Sequence, residues 1–151
     1  MNHFWAEFEN LNKDVFRFDT RIYLNPIEEI NSDDICVGAI VGKNPGSAKP
    51  VSISEGMKPI ELSGDKLLPT VRNIVLKTYK KVACNPTNRG YIQVLNLFYL
   101  CNPNLGEAIK SLKSNESAKN CPAETKEFPW VWYVWGGESP ALNIFKKRVF
   151  A

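Results

Sequence analysis

The chain has 151 residues, a formal net charge of +3, 44% hydrophobic and 23% charged residues. That composition excludes a disordered or fibrous chain, and the small charge does not by itself argue for nucleic-acid binding. One domain of this length buries roughly 68–70% of its unfolded surface, so it needs neither disulfides nor a metal to fold.

No apolar run approaches the ~20 residues of a membrane helix. The N-terminus is acidic and aromatic, with no basic segment leading an apolar core, which is not the pattern of a signal peptide. A cytoplasmic protein without a membrane partner is expected. The cysteines, Cys36, Cys84, Cys101 and Cys121, form no C-x-x-C pair, and the sole histidine, His3, lies at a terminus expected to be mobile. Metal-site spacing is absent, so no metal and no cofactor are expected, and the thiols are expected to be reduced.

In chain order, residues 1–34 read as an N-terminal extension packing on the core of a single α/β domain spanning 1–151. Within it, residues 15–24 alternate apolar and polar and predict an edge strand or hairpin arm. Residues 35–41 are almost continuously apolar, which predicts a strand covered on both faces, as in a parallel sheet. Residues 47–64 read as a loop. From 65 to 83, Leu67, Leu68, Val71, Ile74, Val75, Tyr79 and Val82 recur at three- and four-residue spacing with lysines opposite. This predicts an amphipathic helix starting near Leu68, with Pro69 in its first turn.

Residues 91–100 predict a second buried strand, residues 105–113 a short helix, and residues 114–128 a loop. The aromatic run 130–135 predicts a third strand, whose tryptophans either pack in the core or stack on bases. Residues 138–149 predict a last helix with Pro140 in its first turn. Strand and helix alternate, so right-handed crossovers give a three-layer α/β/α sandwich with a mostly parallel central sheet. The basic clusters Lys77, Lys80, Lys81 and Lys146, Lys147, Arg148 read as solvated helix faces or as phosphate contacts.

Ligands of open α/β sheets bind beyond the carboxyl ends of strands. Those ends carry Gly42, Lys43, Asn44, Pro45, Gly46 and Ser47 after the first run, Asn96 within the second, and Trp135 and Gly136 after the third. Asn, Pro and Gly are common turn formers, so the first group reads as a plain turn or as a site. Asn96, inside Val-Leu-Asn-Leu-Phe, either bonds a neighbouring backbone or offers its donor and acceptor to a base edge. The Ser-His-Asp pattern, the Gly-x-Ser-x-Gly elbow and the Walker loop are missing.

Together these pieces resemble a bacterial family of unassigned function, domain-of-unknown-function family 1643. The resemblance rests on Gly42-Lys-Asn-Pro-Gly-Ser-Ala48, Pro69-Thr-Val-Arg72, Val94-Leu-Asn-Leu-Phe98 and Trp135-Gly136, in that order across roughly residues 35–137. The arrangement also resembles the uracil-DNA glycosylase superfamily, with Gly42, Asn44, Pro45 and Gly46 at its water-positioning turn and Leu95-Asn96 at its base-recognising strand end. Leu68 stands where the family carries an acidic residue.

The resemblance implies a uracil-DNA glycosylase-like fold, with Asn44 as the catalytic residue. It implies Gly42, Lys43, Pro45, Gly46, Ser47, Asn96, Arg72, Trp135 and Gly136 as substrate-binding residues. DNA or a nucleotide is the partner it implies. Three functions stay open: a domain that binds a nucleobase, nucleotide or nucleic acid; an active glycosylase hydrolysing an N-glycosidic bond; and a non-catalytic protein-interaction domain using Phe4, Trp5 and Phe8.

Overall fold

The structure, a computed structural model, describes residues 1–11, 13–46, 49–50, 55–114 and 120–149. Its elements are β1 (Asn2–Leu11), β2 (Asp14–Ile27), β3 (Ile35–Gly42), β4 (Lys49–Pro50), β5 (Met57–Glu61), α1 (Leu67–Lys81), β6 (Gly90–Asn96), α2 (Leu105–Ser114), β7 (Val131–Tyr133) and α3 (Asn143–Val149). The strands form one sheet in the order β4-β5-β1-β2-β6-β3-β7.

The α/β class is as expected, but the sheet is mixed rather than mostly parallel. Only β6, β3 and β7 run parallel, while β4, β5, β1 and β2 join the sheet through antiparallel pairs. The reason lies in β1 and β2, which pair as a long hairpin inside the sheet. A tight hairpin can only be antiparallel, and β2 then pairs antiparallel with β6. β2 is thus a hairpin arm, as expected, but a central strand and not an edge. His3 belongs to β1, with its Nδ1 3.1 Å from the Tyr23 carbonyl oxygen. Trp5 is buried, and Phe4 and Phe8 pack against the core, so the aromatic N-terminus caps the fold.

Helices cover both faces of the sheet, and β3 shows it by alternation. Ile40 joins Leu68 and Val71 of α1 in one cluster, while Ala39 and Val41 join Ala108, Ile109 and Leu112 of α2 in another. Within β2 the two faces exchange partway along the strand. Phe16 and Phe18 face the α2 cluster, yet Ile22 and Leu24 of the same parity face α1. A bulge at Asp19 makes the change: Trp5 pairs with Arg21 but Glu7 with Phe18, and Asp19 has φ 47°. Asp19 is held there by Arg21 Nη2 at 2.9 Å and Gln93 Nε2 at 3.0 Å.

The expected 47–64 loop contains β5, which extends the sheet beside β1. Its pattern is short and interrupted by Pro59, a residue that cannot donate to a ladder and so disfavours a strand reading. Strand β6 is buried throughout, as its apolar run predicts, but it ends at Asn96 and not at residue 100. β7 departs from the expected burial. Paired only with β3 among the described residues, it leaves Val131, Trp132 and Tyr133 exposed along the sheet margin. The last helix starts at Asn143, after a 3-10 turn over Pro140–Leu142. Within 114–128, another 3-10 turn spans Pro122–Thr125, and residues 115–119 lie outside the described residues.

α1 ends in a Schellman motif. Cys84 N–H donates to the Tyr79 carbonyl at 3.0 Å and Ala83 N–H to that of Lys80 at 3.2 Å, with Ala83 at φ 52°. Alanine in that region is strained, where glycine is not. Ala83→Gly is therefore expected to raise the unfolding free energy by about 0.5–1 kcal/mol, measured as a higher urea midpoint at unchanged slope. A lower midpoint would show that the motif does not limit helix stability.

Candidate functional site

β3 and β6 end in step, with Val41 opposite Leu95 and Gly42 opposite Asn96. Beyond this point the β3 chain enters the turn 43–46. Backbone bonds lock the turn to the other strand: Leu97 N–H donates to the Gly42 and Lys43 carbonyls at 3.0 and 3.1 Å. Gly42 is required by close approach, because a Cβ there would lie 2.8 Å from Asn96 Oδ1. Gly46, at φ 68°, reverses the chain in the left-handed region where glycine is favoured. Asn44 donates through Nδ2 to the Asn102 carbonyl at 3.0 Å.

The turn, the end of β6 and the start of α1 line an open cavity of about 300 Å³. Asn44, Pro45 and Gly46 form one wall, Val94 and Asn96 another, residues 64–68 a third, and Arg17 of β2 the remainder. This is the small end of the usual range for ligand pockets. Asn96 is 2% exposed, and its Nδ2 has no hydrogen-bond partner. A buried amide nitrogen in that state costs free energy unless something else accepts from it.

The backbone that carries Asn96 is tied down from outside the cavity. Its N–H donates to Tyr99 Oη at 3.3 Å, and Tyr99 Oη donates to Glu124 Oε1 at 2.6 Å. Arg148 of α3 pairs with Glu124 and donates through Nη2 to the Leu97 carbonyl at 2.7 Å. One member of the last basic cluster is thus a structural clamp on the strand end.

Arg17 is the residue that sequence reasoning missed. It is 2% exposed, and its Nε and Nη1 lack hydrogen-bond partners. Burial lowers the pKa of its guanidinium, against the opposing influence of Cys101 and Asp65. Cys101 offers no counter-charge at neutral pH, since burial pushes its thiol up to about 11 despite the Arg17 charge. Asp65 lines the same cavity but makes no ion pair with Arg17; its Oδ1 accepts from Leu67 N–H at 2.9 Å. Lys66, at the N-cap of α1, adds a second positive charge beside the positive end of the helix dipole.

The predicted site residues divide into two groups. Gly42, Asn44, Pro45, Gly46 and Asn96 come together around the cavity. Lys43, Arg72, Trp135 and Gly136 do not line it. Arg72 donates from Nε and Nη2 to the Leu24 carbonyl at 3.2 and 2.8 Å, fastening α1 to β2. Lys43 carries its side-chain end beside Gly136, and Trp135 packs on the α2 face with Lys146 Nζ 5.6 Å from its ring centre. Ser47 lies outside the described residues.

All four cysteines are free, and no group of three or more His, Cys, Asp or Glu among the described residues is placed to hold a metal ion. No helix among them is long and apolar enough to cross a membrane. Comparison of the chain with protein-family models, curated proteins and solved structures gave no match.

Proposed function

We propose that the cavity at the ends of β3 and β6 binds a nucleobase, presented as a free base, a nucleotide or part of a nucleic acid. The observation that carries this is Asn96: a buried amide with an unpartnered Nδ2, lining a cavity of about 300 Å³ opposite Asn44. An amide supplies a donor and an acceptor side by side, the pattern that matches a base edge. Gly42 supports the same role by leaving the room that the Asn96 amide occupies.

The test is thermal shift and titration with free bases, nucleotides and short single- and double-stranded DNA, using wild type, Asn44→Ala and Asn96→Ala. Saturable stabilisation by a base-bearing ligand is expected in wild type, with at least a tenfold weaker affinity in Asn96→Ala, as for loss of about 1.4 kcal/mol. Absence of binding to every ligand at low salt would sink the reading.

Hydrolysis of an N-glycosidic bond is the second reading, and the Asn44 geometry favours it. Its Nδ2 is committed to the Asn102 carbonyl, which fixes the amide so that Oδ1 is the atom left to orient a water. Release of base from uracil-, hypoxanthine- or mismatch-containing DNA, lost in Asn44→Ala while binding persists, would establish it. No release at high enzyme excess would exclude it.

A further inference from the structure

We infer that this cavity takes an oxyanion, the phosphate of a phosphorylated ligand, and that Arg17 is its counter-charge. The inference rests on the base-binding reading for the rest of the ligand, but its evidence is separate.

A guanidinium is always charged near neutral pH, and a buried one is found paired. Arg17 is 2% exposed with two nitrogens unpartnered, and no carboxylate among the described residues forms an ion pair with it. The one nearby thiol stays neutral. β2 continues past β6 as a central strand here, with Arg17 N–H bonded to the Tyr99 carbonyl at 3.0 Å and Arg17 registered against Phe8 of β1. The buried Nε and Nη1 belong to a side chain that lines the cavity.

The other groups around that space point to the same ligand chemistry. The charged linings are Arg17 and Lys66 against Asp65 alone, two positive to one negative. Asp65 is already engaged by the Leu67 N–H. The first turn of the 15-residue α1 carries no acidic residue. Helix N-termini favour anions through both their free N–H groups and the dipole. A tetrahedral oxyanion can accept two hydrogen bonds from one guanidinium, which leaves Asn96 Nδ2 to the base.

Thermal shift and calorimetric titration at constant ionic strength test this, with inorganic phosphate, uridine 5′-monophosphate and uridine as probes against a chloride background. The proteins are wild type, Arg17→Met and Arg17→Lys. Phosphate and the monophosphate are expected to stabilise wild type saturably. Arg17→Met should lose at least tenfold in affinity for both, with Arg17→Lys intermediate. If uridine binds as well as its monophosphate and phosphate gives no shift, the oxyanion role is overturned while base binding survives. If phosphate binds but the monophosphate binds no more tightly, the oxyanion role stands and the base reading falls. Equal phosphate stabilisation of wild type and Arg17→Met would mean a bulk salt effect and would also overturn it.

Discussion

Replacing Arg17 with methionine is expected to make the ligand-free protein more stable, by about 2 kcal/mol, while removing its response to oxyanions. The direction follows from burial. Arg17 is 2% exposed, and Nε and Nη1 have surrendered water for no partner. Methionine keeps an unbranched apolar stem of similar reach and packs in the space the arginine stem fills. What disappears is the desolvated charge. For a domain of this size, a gain of that magnitude raises Tm by roughly 4–8 °C, at about 2–4 °C per kcal/mol. Thermal and urea unfolding of both proteins in chloride buffer, without phosphate, would measure it. A lower Tm for Arg17→Met would show that the guanidinium is satisfied within the fold, and the case for an external anion would weaken with it. Stability given up at one buried group is a common signature of a binding site.

Arg17 also shows where sequence reasoning stops. In the run 15–24 the apolar residues Phe16 and Phe18 alternate with polar ones, so Arg17 falls on the opposite face of its strand. On an edge strand that face meets solvent, and an arginine there needs no explanation. In the folded sheet β2 lies between β1 and β6, and the face is covered by α1. The local pattern contains no signal for the second neighbour of β2, since its pairing with β6 joins residues far apart in the chain. Asp19 compounds this, because a bulge reverses the phase and no periodic template anticipates it.

What was legible had strong local causes. The near-continuous apolarity of β3 and β6 marked strands covered on both faces, and three- and four-residue spacing marked α1 with Pro69 in its first turn. Asn96 stood out as a polar residue within a buried run, and Gly42 to Gly46 as a turn at a strand end. Of these, Asn44, Pro45, Gly46 and Asn96 line one cavity, with Gly42 against the Asn96 side chain. Arg72 enters by motif alone and Trp135 by its place at a strand end as well, and their side chains serve packing: Arg72 binds a backbone carbonyl of β2, and Trp135 covers the α2 face. Asp65 and Lys66 precede the predicted helix start near Leu68, and only the fold brings that helix end against the turn.

The second large effect is expected at Gly38, in the middle of β3. Its missing side chain is occupied by Trp130: a Cβ would lie 2.0, 2.3 and 2.4 Å from ring atoms Cε2, Cδ2 and Cζ2. The indole rests directly on the strand backbone, and the Trp130 carbonyl accepts from Ala39 N–H at 2.9 Å, so the main chain beneath the ring cannot easily withdraw. Gly38→Ala then has two opposing effects. Alanine is favoured over glycine within a strand by about 0.5–1 kcal/mol. Against it, overpacking costs about 1–3 kcal/mol, and a clash near 2 Å with a rigid ring belongs at the upper end. The clash should win, giving a net loss of about 2 kcal/mol in urea unfolding. The double-mutant cycle with Trp130→Ala isolates the cause. In that background the ring is gone, and Gly38→Ala should become neutral or stabilise by about 0.5 kcal/mol, a coupling near 2 kcal/mol for residues in contact. Oxyanion and base binding should persist in Gly38→Ala, because neither Gly38 nor Trp130 lines the cavity. An equal penalty in both backgrounds would place the cost in the β3 backbone and not in the indole that covers it.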